Sequence, residues 1–374
     1  EKNDGKIIFT NEKTLSSSKI LNNFFKDFDD IQKNYIKNLK KKISIESIIR
    51  DLEKISKKRI LVIGDIIFDK YIFSDTLGKS PKESIISVKV SAEKNYSGGI
   101  LATANHLVSF CKNITLLSIA GEKEKKLINK NESLNRYIKK KIFFSNKQNS
   151  IYKCRFLNNQ NEKIFQYTNR DYFFPGKKIE NKICLYLNKN IKKFDAVIVN
   201  DFGHGLLTDK IIKIIQNKSK ELCLNVQTNS ANSGFNLVNK YKKANYVVLD
   251  EPETRLALQK KFEDAKTLFL EMKKILKFKI FCISFGSSGA KNFDNKKFFF
   301  SPALTNKTLD TMGAGDAFFA ISSLFSLVRD KNKTKSELIL FTGNIAGAMK
   351  TQYLGHSKNI KKLPFLNYAK SLLS

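Results

Sequence analysis

The segment LDTMGAGDAFFA (residues 309–320) places glycines and an aspartate where a polar loop becomes an apolar, helical stretch. A helix N-terminus presents unpaired N–H groups and the positive end of the helix dipole, and both favour a bound anion. We interpret Gly313, Ala314 and Gly315 as backbone donors to a phosphate. Asp316 is then the general base that takes a proton from an attacking hydroxyl. The alternative is that Asp316 only caps the helix.

Composition limits the classes of protein to which the chain can belong. Its 374 residues, 41% of them hydrophobic, suffice for one large α/β domain with a smaller appendage. The formal charge is +33, but only seven of the 68 basic residues are Arg and the lysines are spread along the whole chain. Because Lys is the weaker residue for bidentate phosphate binding, we expect a solvated lysine surface and no nucleic-acid partner. A steep salt dependence of DNA or RNA binding would favour the opposite interpretation.

The cysteines and the apolar runs indicate in which cellular compartment the protein is expected. Five cysteines are scattered without a CxxC pair, which is typical of a reducing cytosol and predicts no zinc site. No apolar run approaches the roughly 20 residues that span a bilayer. We also expect no signal peptide. The sequence therefore predicts a cytoplasmic protein with no membrane partner.

Short apolar runs alternate with helical stretches from residue 59 onward. The strand candidates are residues 60–65, 114–120, 195–201, 222–227, 246–250 and 279–286. The helix candidates are residues 98–111, 208–219, 251–262, 265–276 and 341–350. This alternation predicts a mostly parallel sheet with helices on both faces.

Two other parts of the chain differ from this alternation. Residues 70–99 and 150–170 alternate apolar and polar side chains, as half-exposed strands do, and predict a small β sheet that forms a lid over a cleft. Two surface hairpins are the alternative.

Within residues 1–58, apolar side chains recur at helical spacing from Ile48 to Ile55 and predict a helix that packs onto the domain at 59–374.

Three motifs in order resemble those of the ribokinase family, the PfkB-type carbohydrate and nucleoside kinases. They are ILVIGDIIFDKY (60–71), YSGGILATANHLVSF (96–110) and DTMGAGDAFFA (310–320). A lone glycine-rich string would be weak evidence, whereas three ordered motifs are specific. The resemblance covers about residues 59–374 and implies a ribokinase-like α/β fold with a β lid. It also implies an ATP- and Mg²⁺-dependent kinase that phosphorylates a sugar or sugar phosphate.

Within that family the chain resembles the kinase half of bifunctional heptose-phosphate kinase/nucleotidyltransferases. The resemblance lies in GDIIFDKY, in the Lys153-Cys154-Arg155 segment and in the turn NDFGHG (200–205), where Asn200 and His204 replace the usual Ser and Lys. It implies a heptose-phosphate-like acceptor for surface polysaccharide precursors. Residues 7–25 resemble the tail of a nucleotidyltransferase domain. We therefore expect a fused or partner nucleotidyltransferase, with this chain as the kinase half.

The resemblance assigns Asp65, Asp69, Gly98, Gly99 and Asn105 to the sugar site. Carboxylates and amides pair with several hydroxyls at once, and a glycine pair lets the backbone approach a ligand. The alternatives are a surface charge for Asp69 and a polar residue on a helix flank for Asn105.

Lys153 and Arg155 alternate along a predicted lid strand, so both would point to one face. A pair of cations suits an acceptor that already bears phosphate. In a chain this rich in lysine, a solvated surface role is the alternative for Lys153, whereas Arg155 is more informative because arginine is scarce.

The resemblance also implies a nucleotide site and a metal site. The ATP-binding candidates are Asp250, Glu253, Gly286, Gly289, Asp310 and Asn344. Glu253 would organise Mg²⁺, with Asp250 in place of the family's usual Asn. The alternative is that Asp250 ends a strand and Glu253 opens a helix, where acidic residues are favoured. Close packing of small residues is the alternative for the helix of Asn344.

Three further questions stay open at the level of sequence. The departures at Asp250 and His204 favour a rival hypothesis, a non-catalytic nucleotide- and sugar-binding regulatory member of the same fold. Exposed strand edges tend to be covered, so a homodimer formed through the lid is an alternative to a monomer. The acceptor stays unassigned among a heptose phosphate, another hexose phosphate and a free sugar.

Overall fold

A computed structural model describes residues 27–129, 134–328 and 335–374. The predicted nucleotidyltransferase tail at residues 7–25 lies outside this part of the chain. The described residues form two sheets, one of nine strands and one of four. The α/β class predicted from the alternation of apolar runs is therefore confirmed.

The nine-stranded sheet runs in the order β13-β12-β11-β10-β9-β8-β1-β4-β5. Its strands are β1 (Arg59–Gly64), β4 (Asn113–Gly121), β5 (Lys139–Ser145), β8 (Ala196–Asp201), β9 (Leu222–Val226), β10 (Tyr246–Asp250), β11 (Ile280–Ser284), β12 (Ala290–Phe293) and β13 (Phe298–Ser301). Pairing is parallel from β5 to β11, and only β12 and β13 are antiparallel. The mostly parallel sheet is thus as predicted, with β5, β12 and β13 as strands that the sequence analysis missed.

Helices cover both faces of this sheet. They are α1 (Asp30–Lys40), α2 (Ile45–Ser56), α3 (Ile100–Leu107), α4 (Lys125–Asn129), α5 (Gly176–Asn190), α6 (Asp209–Lys218), α7 (Glu251–Leu258), α8 (Ala265–Ile275), α9 (Ala314–Ser326), α10 (Lys335–Lys350) and α11 (Lys362–Leu373). One core cluster joins the sheet to α2, α3, α9, α10 and α11, and a second joins it to α5, α6 and α8.

The central strand shows why both faces need covering. In β1, Ile60 and Val62 belong to one core cluster while Leu61 and Ile63 belong to the other. Successive side chains of a strand point to opposite faces, so a continuous apolar run must be buried on both sides. Each fully buried aliphatic side chain contributes about 1.5–3 kcal/mol to folding. The burial of β1 therefore fixes the edge of the sheet at which its carboxyl end emerges.

The second sheet extends directly from the first. It has the order β3-β2-β6-β7, with β2 (Ile66–Lys79), β3 (Ile86–Gly99), β6 (Ile151–Leu157) and β7 (Lys163–Thr168). Strand β2 begins two residues after β1 ends and pairs with β3 antiparallel and with β6 parallel. The small sheet predicted from residues 70–99 and 150–170 is confirmed.

The N-terminal helices pack against the same core as the large sheet. In α2, Ile48, Leu52 and Ile55 are fully buried, whereas Ile49 is 39% exposed. Asp29 caps α1 with its side chain, and Gln32 Oε1 accepts a hydrogen bond from the Asp29 N–H at 2.9 Å. The predicted helix is therefore present, and its apolar face is an integral part of the core.

We predict that Leu52→Ala destabilises the protein by about 2–5 kcal/mol, because it leaves a cavity between α2 and the domain. Urea denaturation would measure the loss. Ile49→Ala, on the exposed side of the same helix, is the matched control and should cost less than 1 kcal/mol. Equal losses for the two variants would contradict the observed docking of α2.

Candidate active site

The N-terminal turn of α9 is open to a bound group. Gly313 precedes the helix with a φ of 76°, a left-handed conformation that favours glycine. The Ala314 N–H donates to the Thr311 carbonyl at 3.1 Å. In contrast, the N–H groups of Gly315 and Asp316 have no acceptor among the described residues. A side chain at Gly315 would meet nothing within 4 Å, so this turn has free donors and free space beside it.

Asp316 lies at the third position of α9 and is buried. Its Oδ1 accepts hydrogen bonds from Gln227 Nε2 at 2.7 Å and from Asn200 Nδ2 at 3.3 Å. The residue before the helix is Gly313, so Asp316 is not the helix cap that the alternative interpretation required. Burial raises the pKa of Asp316 to about 6, opposed by the Gln227 hydrogen bond and by nearby lysine charges.

Asp65 lies immediately after β1 and faces the loop that follows β8. Its two carboxylate oxygens accept hydrogen bonds from the backbone N–H groups of His204, at 3.3 Å, and of Leu206, at 3.1 Å. Burial raises the pKa of Asp65, although the nearby His204 acts to lower it. His204 itself is buried, and its Nδ1 lies 2.6 Å from the Asp171 carbonyl. The side chain of His204, which stands where the family's usual residue is Lys, is therefore packed inside the protein, and the His204 backbone N–H binds Asp65.

Asp69 lies on β2 among buried charges. Its carboxylate accepts a hydrogen bond from Arg155, and its Oδ2 lies 3.4 Å from His356 Nε2. A Cβ at Gly98 would lie only 2.2 Å from Asp69 Oδ2, so glycine at this position leaves room for the carboxylate. Asp69 is therefore not the solvated surface charge of the alternative interpretation.

Lys153 is a second cation beside Asp69. It pairs with Asp69 in the β2–β6 register and lies half-buried on β6, two residues before Arg155. Burial lowers the pKa of Lys153, while the charges of Asp69, Asp316 and Asp65 act to raise it. Its ammonium thus lies near all three carboxylates, yet it forms no ion pair with any described residue.

Asn105 is buried on α3 but has a different partner. Its Oδ1 accepts a hydrogen bond from the Asn135 N–H at 2.9 Å. Within the described ranges, no hydrogen bond joins Asn105 to Asp65 or Asp69. The structure thus groups Asp65, Asp69, Gly98, Lys153, Arg155 and Asp316, while the assignment of Asn105 to the sugar site stays a prediction. Gly99 adjoins the same cluster, because a Cβ at this position would lie 2.7 Å from the Asp65 carbonyl oxygen.

A cavity of about 560 Å³ adjoins the open turn of α9. Ala314 and Gly315 line it, together with four predicted nucleotide residues: Asp250, Gly286, Gly289 and Asn344. Gly289 has a φ of 94°, and a Cβ there would lie 2.2 Å from the Ser301 carbonyl. Asn344 donates to Ser301 Oγ at 2.8 Å. The predicted nucleotide residues from three separate segments therefore meet in one cavity.

Asp250, which lines this cavity, forms a reciprocal cap of α7 with Glu253. Asp250 Oδ1 accepts from the Glu253 N–H at 2.7 Å, and Glu253 Oε2 accepts from the Asp250 N–H at 2.9 Å. This is the capping role of the alternative interpretation, but it leaves two carboxylates close together. Burial and the charge of Asp250 raise the pKa of Glu253 to about 8.

This carboxylate pair fits a cation that keeps most of its own water. Oxygen ligands suit Mg²⁺, which is usually held by one or two carboxylates and by phosphate oxygens. No cluster of three or more metal-ligating side chains occurs within the described ranges. The local charge repulsion at Glu253 is what a nearby cation would relieve.

Asp310 lies beneath the small sheet and does not line the cavity. Its Oδ1 accepts a hydrogen bond from Lys163 Nζ on β7 at 2.7 Å. Its Oδ2 accepts a bond from the Gly355 N–H at 2.8 Å. Burial acts to raise the pKa of Asp310, but these bonds hold it below its ordinary value. Asp310 thus ties the small sheet to the segment that leads into α9.

Sequence reasoning missed the residues that hold Asp316 and Asp310. Gln227 and Asn200 lie at the carboxyl ends of neighbouring strands, 89 and 116 residues before Asp316. Parallel strands end at one edge, which is where such donors are expected to converge. Lys163 carried no signal, because nothing separates it by sequence from the many other lysines.

Comparison with known proteins places these residues in a family context. The model of a family described as pfkB family carbohydrate kinase matches residues 57–363. "Bifunctional protein HldE" of Campylobacter curvus is 25% identical over 304 residues, which is 80% of this chain and 62% of that protein. The chain thus spans about three-fifths of the length of the curated relatives that it matches.

Solved structures share the fold at low sequence identity. Ribokinase from Giardia lamblia superposes with a TM-score of 0.64 at 14% identity, covering 85% of this chain and 100% of that one. Arabidopsis thaliana ribokinase, complexed with ribose and ATP, gives a TM-score of 0.61 at 14% identity, with 84% and 98% covered. The ribokinase-like fold predicted from the three motifs is confirmed. None of the described helices is long and apolar enough to cross a membrane.

We predict that Gln227→Leu raises the pKa of Asp316 above its value of about 6, because it removes a hydrogen bond that stabilises the carboxylate. Carbon-13 NMR titration of the aspartate carboxyl signals would measure the shift. Gln216→Leu is the matched control, since the Gln216 amide binds the backbone of Lys242 and Lys243. An unchanged Asp316 titration in Gln227→Leu would contradict the arrangement.

Proposed function

The chain belongs to the pfkB family of carbohydrate kinases, and we propose that it transfers the γ-phosphoryl group of ATP to a hydroxyl of a sugar or sugar phosphate, with Asp316 as general base. One observation carries the assignment of the site. The N-terminal turn of α9 has unpaired N–H groups that open on a cavity, and a buried carboxylate with a raised pKa lies in the same turn.

The proposed reaction needs one proton acceptor beside the anion-binding turn. The acceptor oxygen forms a bond to the γ-phosphorus as the bond to the β,γ-bridging oxygen breaks, and ADP leaves with that electron pair. The hydroxyl proton passes to Asp316. Both amide donors bind its Oδ1, so the other oxygen has no hydrogen-bond donor among the described side chains. A pKa near 6 leaves the carboxylate ionised at neutral pH yet basic enough to take a proton.

Charge stabilisation would come from the turn itself. The N–H groups of Gly315 and Asp316 are fixed by the helix and need no rearrangement to donate to phosphate oxygens. Glu253, with Asp250, would hold Mg²⁺ through water. When bound, that ion neutralises charge on the phosphate oxygens. The remaining cavity residues, including Gly286, Gly289 and Asn344, would enclose the nucleotide base and sugar.

The acceptor would lie on the other side of Asp316, against the small sheet. We propose that Asp65 and Asp69 bind its hydroxyls and that Lys153 meets a phosphate already on it. Arg155 is paired with Asp69, whereas Lys153 forms no ion pair with the described residues around it. The distant relatives named HldE favour a heptose-phosphate-like acceptor. The small sheet would serve as a lid that excludes water during transfer.

We also propose that the chain is the kinase half of a longer polypeptide. Its matched relatives are named bifunctional proteins and are longer than the matched region. The proposed kinase domain spans 59–374, with α1 and α2 packed on it as a preceding segment. Sequencing the parent reading frame tests the proposal, and a frame without a nucleotidyltransferase would overturn it.

A second candidate function is a non-catalytic nucleotide- and sugar-binding member of the family. The departures at His204 and Asp250 favour it. The inward packing of His204 on the Asp171 carbonyl leaves its side chain unable to bind phosphate as the family's usual Lys would, and Asp250 places a negative charge where the family's usual Asn is neutral. Nucleotide binding by calorimetry without turnover on any sugar or sugar phosphate would support this candidate over the kinase.

We predict that Asp316→Asn lowers sugar-dependent ADP release by about 10²–10⁴-fold, since the amide cannot accept the hydroxyl proton. A coupled assay for ADP release measures the loss. Asp51→Asn on α2 is the control and should retain full activity. Full activity in Asp316→Asn would remove the base assignment.

The same variant should be more stable than the wild type at pH 7.5. The pKa of Asp316 rises from 3.8 to about 6 on folding, so its stabilising contribution is complete below pH 3.8 and is lost as the pH rises to about 6. Asn mimics the neutral form, so the gain at pH 7.5 is up to about 3 kcal/mol. Urea denaturation at pH 4 and pH 7.5 measures it, and a stability gain that is the same at both pH values would contradict this account.

We predict that Lys153→Met raises the KM for phosphorylated acceptors at least tenfold and changes the KM for free sugars less than threefold, because it removes only the charge that faces the phosphate. A panel of free and phosphorylated sugars, including a heptose phosphate, tests this by ADP release. Lys89→Met, exposed on β3, is the matched control. Equal effects on both acceptor classes would exclude phosphate recognition by Lys153.

A further inference from the structure

A fully buried ammonium lies directly beneath the anion-binding turn. Lys350 is the last residue of α10 and has no exposed surface. Its Nζ donates to the Met312 carbonyl at 2.9 Å and also to the Gly355 carbonyl. Among the described residues it forms no ion pair with a carboxylate. Lysine is rarely fully buried without a charged partner, so this placement is costly and calls for a compensating role.

The two carbonyls belong to the segments that shape the turn. Met312 directly precedes Gly313, and a Cβ at Gly313 would lie 3.3 Å from the Cε of Lys350. The carbonyl and the following N–H of a planar trans peptide point in opposite directions. Because Lys350 draws the Met312 carbonyl inward, the Gly313 N–H points away from it. That N–H has no acceptor within the described part of the chain.

The charge of Lys350 also acts on the turn. Burial lowers the pKa of Lys350 to about 8, while the charges of Asp310 and Asp316 act to raise it. The ammonium is therefore mainly protonated at neutral pH. Its charge in turn acts to lower the pKa of Asp316. A positive charge in a buried site is screened far less than one in water, so it favours an anion at the adjacent turn.

We propose that Lys350 is a positioning residue that holds residues 312–315 in their anion-binding conformation and supplies a fixed positive charge behind the transferred phosphoryl group. This inference rests on the proposed kinase function. It adds a residue that no motif contains and that does not touch the substrate. Lys350 acts through the Met312 carbonyl, through Gly313 and through its field on Asp316.

The first test is Lys350→Met, which keeps the length of the side chain and removes the charge and the N–H donors. We expect kcat/KM for ADP release to fall at least tenfold. The acid limb of its pH profile should move to higher pH, because the charge that lowers the Asp316 pKa is gone. Lys358→Met, on the nearby exposed loop, is the matched control and should change neither quantity. An unshifted acid limb, or a kcat/KM within twofold of the wild type, would overturn the proposal.

The second test is chemical rescue of Lys350→Ala. Added n-propylammonium supplies the missing carbons and an ammonium with N–H donors. It should raise the activity of the Lys350→Ala variant at least tenfold. Tetramethylammonium at the same concentration lacks N–H donors and should restore none. Equal rescue by both ions would show that the rescue is an effect of ionic strength, and it would overturn the positioning role. Wild-type protein without turnover on any acceptor would instead contradict the proposed function itself, and thermal denaturation of each variant separates lost folding from lost positioning.

Discussion

The structure depends on one carboxylate that is kept out of water. Asp316 is buried at the start of α9, where the helix dipole favours its charge but desolvation opposes it, and the balance raises its pKa to about 6. Hydrogen bonds from Gln227 and Asn200 hold it, and Lys153 and Lys350 place positive charge near it. The elements around the site can be understood as the means of keeping this ionisable group buried and oriented.

The large sheet supplies the edge at which those groups meet. Asn200 and Gln227 come from the carboxyl ends of β8 and β9, and Asp65 comes from the end of β1 between β8 and β4. In an open parallel sheet, ligands bind outside the carboxyl ends of the strands. Continuous apolar strands, buried on both faces, make that edge rigid enough to hold side chains in fixed positions.

The small sheet contributes residues to the candidate site. Strand β2 continues from β1, so Asp65 and Asp69 are only four residues apart yet belong to different parts of the fold. The β2–β6 register then brings Lys153 beside Asp69, and the Lys163–Asp310 ion pair ties the far strand β7 to the segment before α9. The side chain of Asp310 is almost completely buried, so this pair loses less to solvent screening than a surface pair would.

What the sequence by itself determined was local. Short apolar runs and periodicities of two and of 3.6 residues predicted most of the strands and most helices. The GAGD turn, the glycine pair and the ordered motifs indicated the family and several candidate site residues, because turn chemistry and periodicity are properties of neighbouring residues. Only the tertiary structure decided which groups meet Asp316 and which do not. Gln227 and Lys350 belong to none of the quoted motifs, and Asn200 lies in the NDFGHG turn without any signal that it binds Asp316; all three approach the turn from distant segments, while the Asn105 oxygen is bound to Asn135. Their roles depend on which strand ends and helix ends converge, and a one-dimensional pattern does not contain that information.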